Sequence, residues 1–231
     1  MPARAAIALL LALTLAQRGR AIDWDAFDDP KAFVLTGTIA QTVSDLPEAQ
    51  RAAAIKRLQE SLKAKEVEIR RRAALTLGAL GDTTGVPVMI ADMKKAQGRD
   101  RDNVVVALRV LKDRRAVPVL REALKDKSPY VRGIAVSALG ELKAAGAYKD
   151  IVAITKDKQF RDNTCIRDCP AHLACYALGA LGEKKAVPVL IDLLQDKDVK
   201  ESARQALEVL TKQKFGHDAD KWTTWWRTQK P

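Results

Sequence analysis

The sequence predicts an all-α solenoid of about five to six stacked helical hairpins, a count that follows from the repeat period. Three observations lead there. A helix-ending pattern, Leu-x-x-Leu, recurs from Leu77, Leu108, Leu139, Leu178 and Leu207, at spacings of 31, 31, 39 and 29 residues. A second marker keeps the same step: Val86-Pro87-Val88, Val117-Pro118-Val119 and Val187-Pro188-Val189, with Tyr148-Lys149-Asp150 in the slot of the third repeat. The composition agrees. Hydrophobic residues make up 47% of the chain but aromatics only 5%, which suits close packing of Ala- and Leu-rich helices better than strands.

The chain begins with an address. Met1 to Arg4 is a short positive start, and Ala5 to Ala16 is a run of twelve residues broken only by Thr14. A polar stretch follows and ends in Gly19-Arg20-Ala21, with small residues where a signal peptidase reads. This is the layout of a secretory signal peptide, and the run is shorter than the ~20 residues that span a bilayer. Residues 1–21 are therefore expected to be a signal peptide cleaved after Ala21, with a weaker site after Ala16. No Cys follows the run, which argues against a lipid anchor. The expected location is periplasmic or secreted.

Residues 22–65 are expected to form an N-terminal cap and first helical pair, with helices near 31–43 and 47–63. Residues 66–212 carry the repeats. In each unit, helix A ends at the Leu pair and a tight turn follows. Proline then opens helix B, where its missing N–H is an orphan anyway. A Lys-Asp-Lys turn (Lys125 to Lys127, Lys156 to Lys158) leads to the next helix A. Alanines recur one residue before the first Leu (Ala107, Ala138, Ala177, Ala206) and four before it (Ala73, Ala135, Ala174, Ala203). Small residues there let successive helices A approach closely, and stacking supplies a core that no single unit can build. Residues 213–231 are expected to be a Trp-rich C-terminal cap. Trp222, Trp225 and Trp226 are spaced to share one helical face.

These residues resemble the bacterial HEAT-like repeat family, specifically the short repeats related to phycobilisome lyases. The resemblance covers 66–212 well and 31–65 loosely, and it implies a HEAT-like superhelix. It also implies a structural ladder, with an acid in each A–B turn (Asp82, Asp113, Glu183) and a base near the start of the next helix A (Arg70, Arg101, Arg132, Lys200). The fourth unit departs, with Pro170-Ala171 in the base's place. The segment from Phe215 through Trp226 resembles a tail that follows other such arrays.

The 39-residue spacing hides an insertion between Lys158 and Pro170 that holds Cys165 and Cys169. In an exported chain this pair reads as a disulfide closing a small loop. Cys165, Cys169, His172 and Cys175 also offer ligand types that zinc accepts. Register argues against a zinc site. Cys175 aligns with Ala74, Val105 and Val136 and should point inward, while His172 aligns with Arg71, Asp102 and Glu201 and should point outward. No metal and no cofactor are expected. No phosphate loop, nucleophile elbow or oriented Cys–His pair is evident, and two histidines without His-Glu pairs exclude the iron-binding HEAT-type hydroxylases. The chain reads as non-catalytic.

The net charge is +11, which permits acidic partners without demanding them. Arg114-Arg115 and Lys184-Lys185 in the A–B turns form a candidate basic ridge. Nucleic acid is not the expected partner, because aromatics are not interleaved with these bases and export removes the usual target. The expected function is an exported, monomeric interaction scaffold that binds a protein or peptide through its helix-B surface. Two alternatives stand behind it: an accessory or lyase-like factor holding a cofactor or substrate near the Cys/His loop, and, more weakly, a polyanion binder using the basic turns.

Overall fold

In the computed structural model, which describes residues 22–156 and 170–229, the chain is an all-α solenoid and its described residues contain no strand. It divides into two compact units, Met1–Leu111 and Lys112–Pro231. Residues 1–21, expected to be a signal peptide, and both Cys165 and Cys169 lie outside the described residues.

The N-terminal unit holds α1 (Trp24–Asp28), α2 (Thr36–Asp45), α3 (Glu48–Ser61), α4 (Val67–Ala79), α5 (Val86–Lys95) and α6 (Gly98–Leu111). Helix α4 is its centre and packs against α2, α3, α5 and α6. The expected helix over 31–43 begins five residues later, at Thr36. The delay has a cause in Arg72, whose guanidinium takes the carbonyls of Pro30 and Ala32 and keeps that stretch out of a helix. Before it lies α1, which the sequence reading did not anticipate. Asp23 caps it, accepting from the Ala26 N–H at 2.9 Å.

The C-terminal unit holds α7 (Val117–Ala123), α8 (Pro129–Glu141), α9 (Tyr148–Lys156), α10 (Pro170–Leu181), α11 (Ala186–Leu193), α12 (Lys200–Thr211) and α13 (Ala219–Thr228). Single 3-10 turns at Arg114–Ala116 and Ala145–Ala147 lead into α7 and α9. Helices α8, α10 and α12 stack in sequence, and each packs against the helix B that precedes it, α7, α9 and α11 in turn.

The marker residues make the core. Leu77, Leu108, Leu139, Leu178 and Leu207 are fully buried, and so are Ala73, Ala135, Ala174 and Ala203. Small residues set the spacing, as their register requires. A methyl on Gly140 would stand 2.8 Å from the Ala177 Cα, and one on Gly179 3.1 Å from the Ala206 Cα. After the Leu pair the chain turns through a left-handed residue. At Gly81 the Asp82 N–H reaches back to the Leu77 carbonyl and the Gly81 N–H to that of Gly78. This paired reversal satisfies carbonyls that a helix end leaves orphaned. Ala144 and Lys143 repeat it against Leu139 and Gly140.

Candidate functional site

Helices B of the C-terminal unit present one face inward and one outward. Leu120, Ile151 and Leu190 are buried, while Pro118, Arg121, Lys149, Ala153, Pro188 and Asp192 are exposed. Arg121 Nε donates to Asp150 Oδ2 at 2.7 Å and stitches α7 to α9. The outward face is thus a mixed polar and apolar surface on regularly spaced helices.

The acid–base ladder takes a different form from the one expected. Asp82 is not paired with Arg101, the base of the next helix A. Its carboxylate accepts from the Thr84 N–H at 2.8 Å and from Gln59 Nε2 at 2.9 Å. Burial raises the Asp82 pKa, but these hydrogen bonds outweigh it and hold the carboxyl below its usual range. Asp113 accepts from the Arg115 N–H and side chain at 2.7 to 3.0 Å, and those bonds lower its pKa. Glu183 pairs with Lys185 at 3.4 Å. A short-range partner wins because an Asp side chain readily reaches the backbone N–H two residues on.

The bases instead cap carbonyls before their own helices. Arg70 Nη1 donates to the carbonyls of Ala64 and Lys65 at 2.6 Å, and its other nitrogens hold Asp92 at 2.8 Å. Arg101 donates to the Met93 carbonyl. Arg132 donates to those of Asp126 and Lys127. Lys200 is exposed at the start of α12.

The candidate ridge residues Arg114, Arg115, Lys184 and Lys185 are all exposed. Arg114 Nη2 reaches the Leu142 carbonyl at 3.4 Å. Lys185 Nζ lies 4.5 Å over the Tyr148 ring, and the Tyr148 hydroxyl donates to the Lys185 carbonyl at 2.9 Å.

Cys175 is fully buried, on the inward register. His172 is half-buried and not simply outward, because its Nδ1 meets Ser202 Oγ of α12 at 2.8 Å. Among the described residues no group of three or more His, Cys, Asp or Glu could hold a metal ion. His217 Nε2 lies 3.0 Å from Glu201 Oε2.

The Trp-rich tail supplies a helix B for the last hairpin: α13 packs on α11 as well as following α12. Trp222 is fully buried, with Nε1 donating to the Gly216 carbonyl at 2.8 Å. Phe215 meets it edge-on at 4.9 Å and Trp225 at 6.1 Å. Trp225 and Trp226 are half-buried beside each other.

Two buried ionic residues, Asp92 and Arg72, have no counterpart in the sequence expectations. Arg72 of α4 is 2% exposed. It donates to the carbonyls of Ala26, Phe27, Asp29, Pro30 and Ala32 and pairs with Glu68 at 3.1 Å. The stripe Ile69–Arg72–Ala73–Thr76 is an inward one by helical spacing, and that was the available signal.

Residues 87–164 match the family of HEAT repeats, and residues 69–91 and 172–196 match the PBS lyase HEAT-like repeat. Among solved structures, the complex of CpcE and CpcF of phycocyanin lyase from Nostoc sp. PCC7120 is similar at TM-score 0.57 and 24% identity. That match covers 69% of this chain and spans 65% of the length of the other. The YibA protein of Escherichia coli is similar at TM-score 0.52 and 20% identity, over 90% of this chain and 82% of that one. An engineered protein matches at TM-score 0.50 and 17% identity, over 81% of this chain and 97% of its own. At these identities the structural likeness speaks for the fold. No curated protein matches the chain.

Proposed function

Because this chain is a HEAT-like repeat protein, we propose that it is an exported scaffold that binds a protein or peptide on the outward face of its helices B. The supporting observation is that face itself, where exposed Pro118, Arg121, Lys149, Ala153, Pro188 and Asp192 stand on α7, α9 and α11. Repeat arrays use such extended surfaces for partners. Export rests on the apolar run Ala5 to Ala16 and its small-residue ending. No helix among the described residues is long and apolar enough to cross a membrane.

The test places a photo-crosslinking amino acid at Ala153 on α9 and, as a control, at exposed Val209 on α12, in the cells that make the protein. A discrete adduct from Ala153 and none from Val209 is the expected result. Adducts from Val209 alone, or from neither position, sink the helix-B reading. Fractionation of the same cells tests export.

A second reading is a lyase-like accessory factor that holds a cofactor or substrate beside His172. It draws support from the two stretches that match the PBS lyase HEAT-like repeat. The His172 contact to Ser202 leaves Nε2 for a ligand, whereas the Cys175 thiol is buried. If His172→Ala leaves the Ala153 adduct unchanged, the scaffold reading keeps its place. If that substitution removes a bound small molecule, the second reading takes it.

A further inference from the structure

Positive charge is unevenly spread. The described residues of the N-terminal unit carry fourteen bases against thirteen acids, and those of the C-terminal unit nineteen against thirteen. Five of those six excess charges lie in four A–B turns, at 112–116, 142–147, 182–185 and 212–218, which hold eight bases and three acids. Each of the three acids has a basic partner: Asp113 with Arg115, Glu183 with Lys185, and Asp218 with Lys221.

The turns form one edge. Arg114 of the first reaches the Leu142 carbonyl of the second, and Tyr148 just after the second bonds the Lys185 carbonyl of the third. Gly179 and Ala206 hold α10 against α12 just before the third and fourth. Packed helices lie about 10 Å apart, so the edge runs for roughly 30 Å. Along it Lys112, Lys143, Lys184, Lys212 and Lys214 are exposed and none is paired with an acid.

Three of these lysines hold a costly backbone. Lys112, Lys143 and Lys212 sit at φ 50°, 49° and 63°, where the sister turns have Gly81 and Gly182. Left-handed geometry is strained for a residue with a Cβ. A cation does favour a helix C-terminus, but any position in the last turn supplies that without strain. Lysine kept three times at a glycine position, always on the same edge, points to a use for the charge.

We infer that this edge is a docking surface for an extended acidic peptide segment of a partner protein. A peptide in the polyproline II conformation rises about 3.1 Å per residue with three residues per turn, so carboxylates at every third position share one side and meet one turn after another. Lysine ammonium groups are point charges that suit such contacts without demanding a planar partner. Single-stranded nucleic acid is disfavoured, because base stacking needs open rings. The Tyr148 ring lies under Lys185 and the Phe215 ring against Trp222. The edge is distinct from the helix-B face, so the crosslinking result at Ala153 does not bear on it.

The test uses the full chain and a fluorescent peptide of Glu-Gly-Gly repeats, about twelve residues long so that it spans the edge. One variant combines Lys112→Gly, Lys143→Gly and Lys212→Gly. A charge-matched control combines Lys125→Gln, Lys156→Gln and Lys197→Gln in the other turns. The glycine variant should melt at a higher temperature than the parent and yet bind about tenfold more weakly, from the loss of three exposed ion pairs. The control should stay within about twofold, and binding should weaken with salt. Equal losses in both variants would mean bulk charge and overturn the proposal. So would unchanged binding in the glycine variant, or tighter binding of an oligothymidylate of equal charge.

Discussion

Arg72 Nη1 lies 2.8 Å from the carbonyl oxygen of Phe27, and both side chains are sealed from water. The guanidinium sits where the chain leaves α1, and Glu68 balances its charge. Removing it strands several buried carbonyls, while Glu68 keeps its pair with Arg71. Arg72→Ala should therefore cost about 3 kcal/mol or more of stability, and it should open residues 22–34 to protease before the rest of the chain. Arg72→Lys, with one ammonium in place of a fork, should recover part of this. Urea unfolding with limited proteolysis measures both effects, and parent-like behaviour of Arg72→Ala contradicts the anchor.

The contact between α8 and α10 gives a second expectation. A methyl at Gly140 would meet the Ala177 backbone, which cannot rotate away. Gly140→Ala should lose about 1–3 kcal/mol, the usual cost of overpacking. Gly146→Ala has open space around the new methyl and should be neutral. Equal midpoints for the two variants in thermal unfolding would remove Gly140 from the packing seam.

Glu201 carries the third. Arg204 donates to its carboxylate at 2.5 and 3.1 Å, Gln205 at 2.8 Å, and His217 lies at 3.0 Å. The bonds from Arg204, then Gln205, hold its pKa at about 2 against an ordinary 4.5. A depressed carboxyl contributes stability that is complete above the unfolded value and is lost as pH falls through the folded one. The window is therefore pH 4.5 down to about 2, and the effect is modest because the carboxylate is half exposed. A carbon-detected NMR titration should place its midpoint near the lower end, and Arg204→Ala should move it upward.

Cys175 gives the fourth. A fully buried thiol should resist alkylation in the native protein and react once denaturant is added. With Cys165 and Cys169 joined, as their spacing leads one to expect, the denatured, unreduced chain takes up one equivalent. Three equivalents, read by mass spectrometry, would remove the disulfide and weaken the argument for export.

The repeat was legible because its signal is redundant. Leu139 and Ala135 lie on one helical stripe, and that stripe recurs unit after unit, so period and burial could be read together. The polar contacts were not. Asp82 and Arg101 have the spacing of a ladder pair, yet the Thr84 N–H and Gln59 take the carboxylate and the guanidinium donates to the Met93 carbonyl. Arg72 is a charge on an inward stripe, between Ile69, Ala73 and Thr76, so its type points to the surface while its position points to the core. The left-handed backbone at Lys112 and Lys143 is marked only by register, since glycine fills the same slot at Gly81 and Gly182.

The abutment of Gly140 and Ala177 has one more consequence. It sets the distance between α8 and α10 by direct contact, so the size of the side chain at these two positions is a dial on the pitch of the stack.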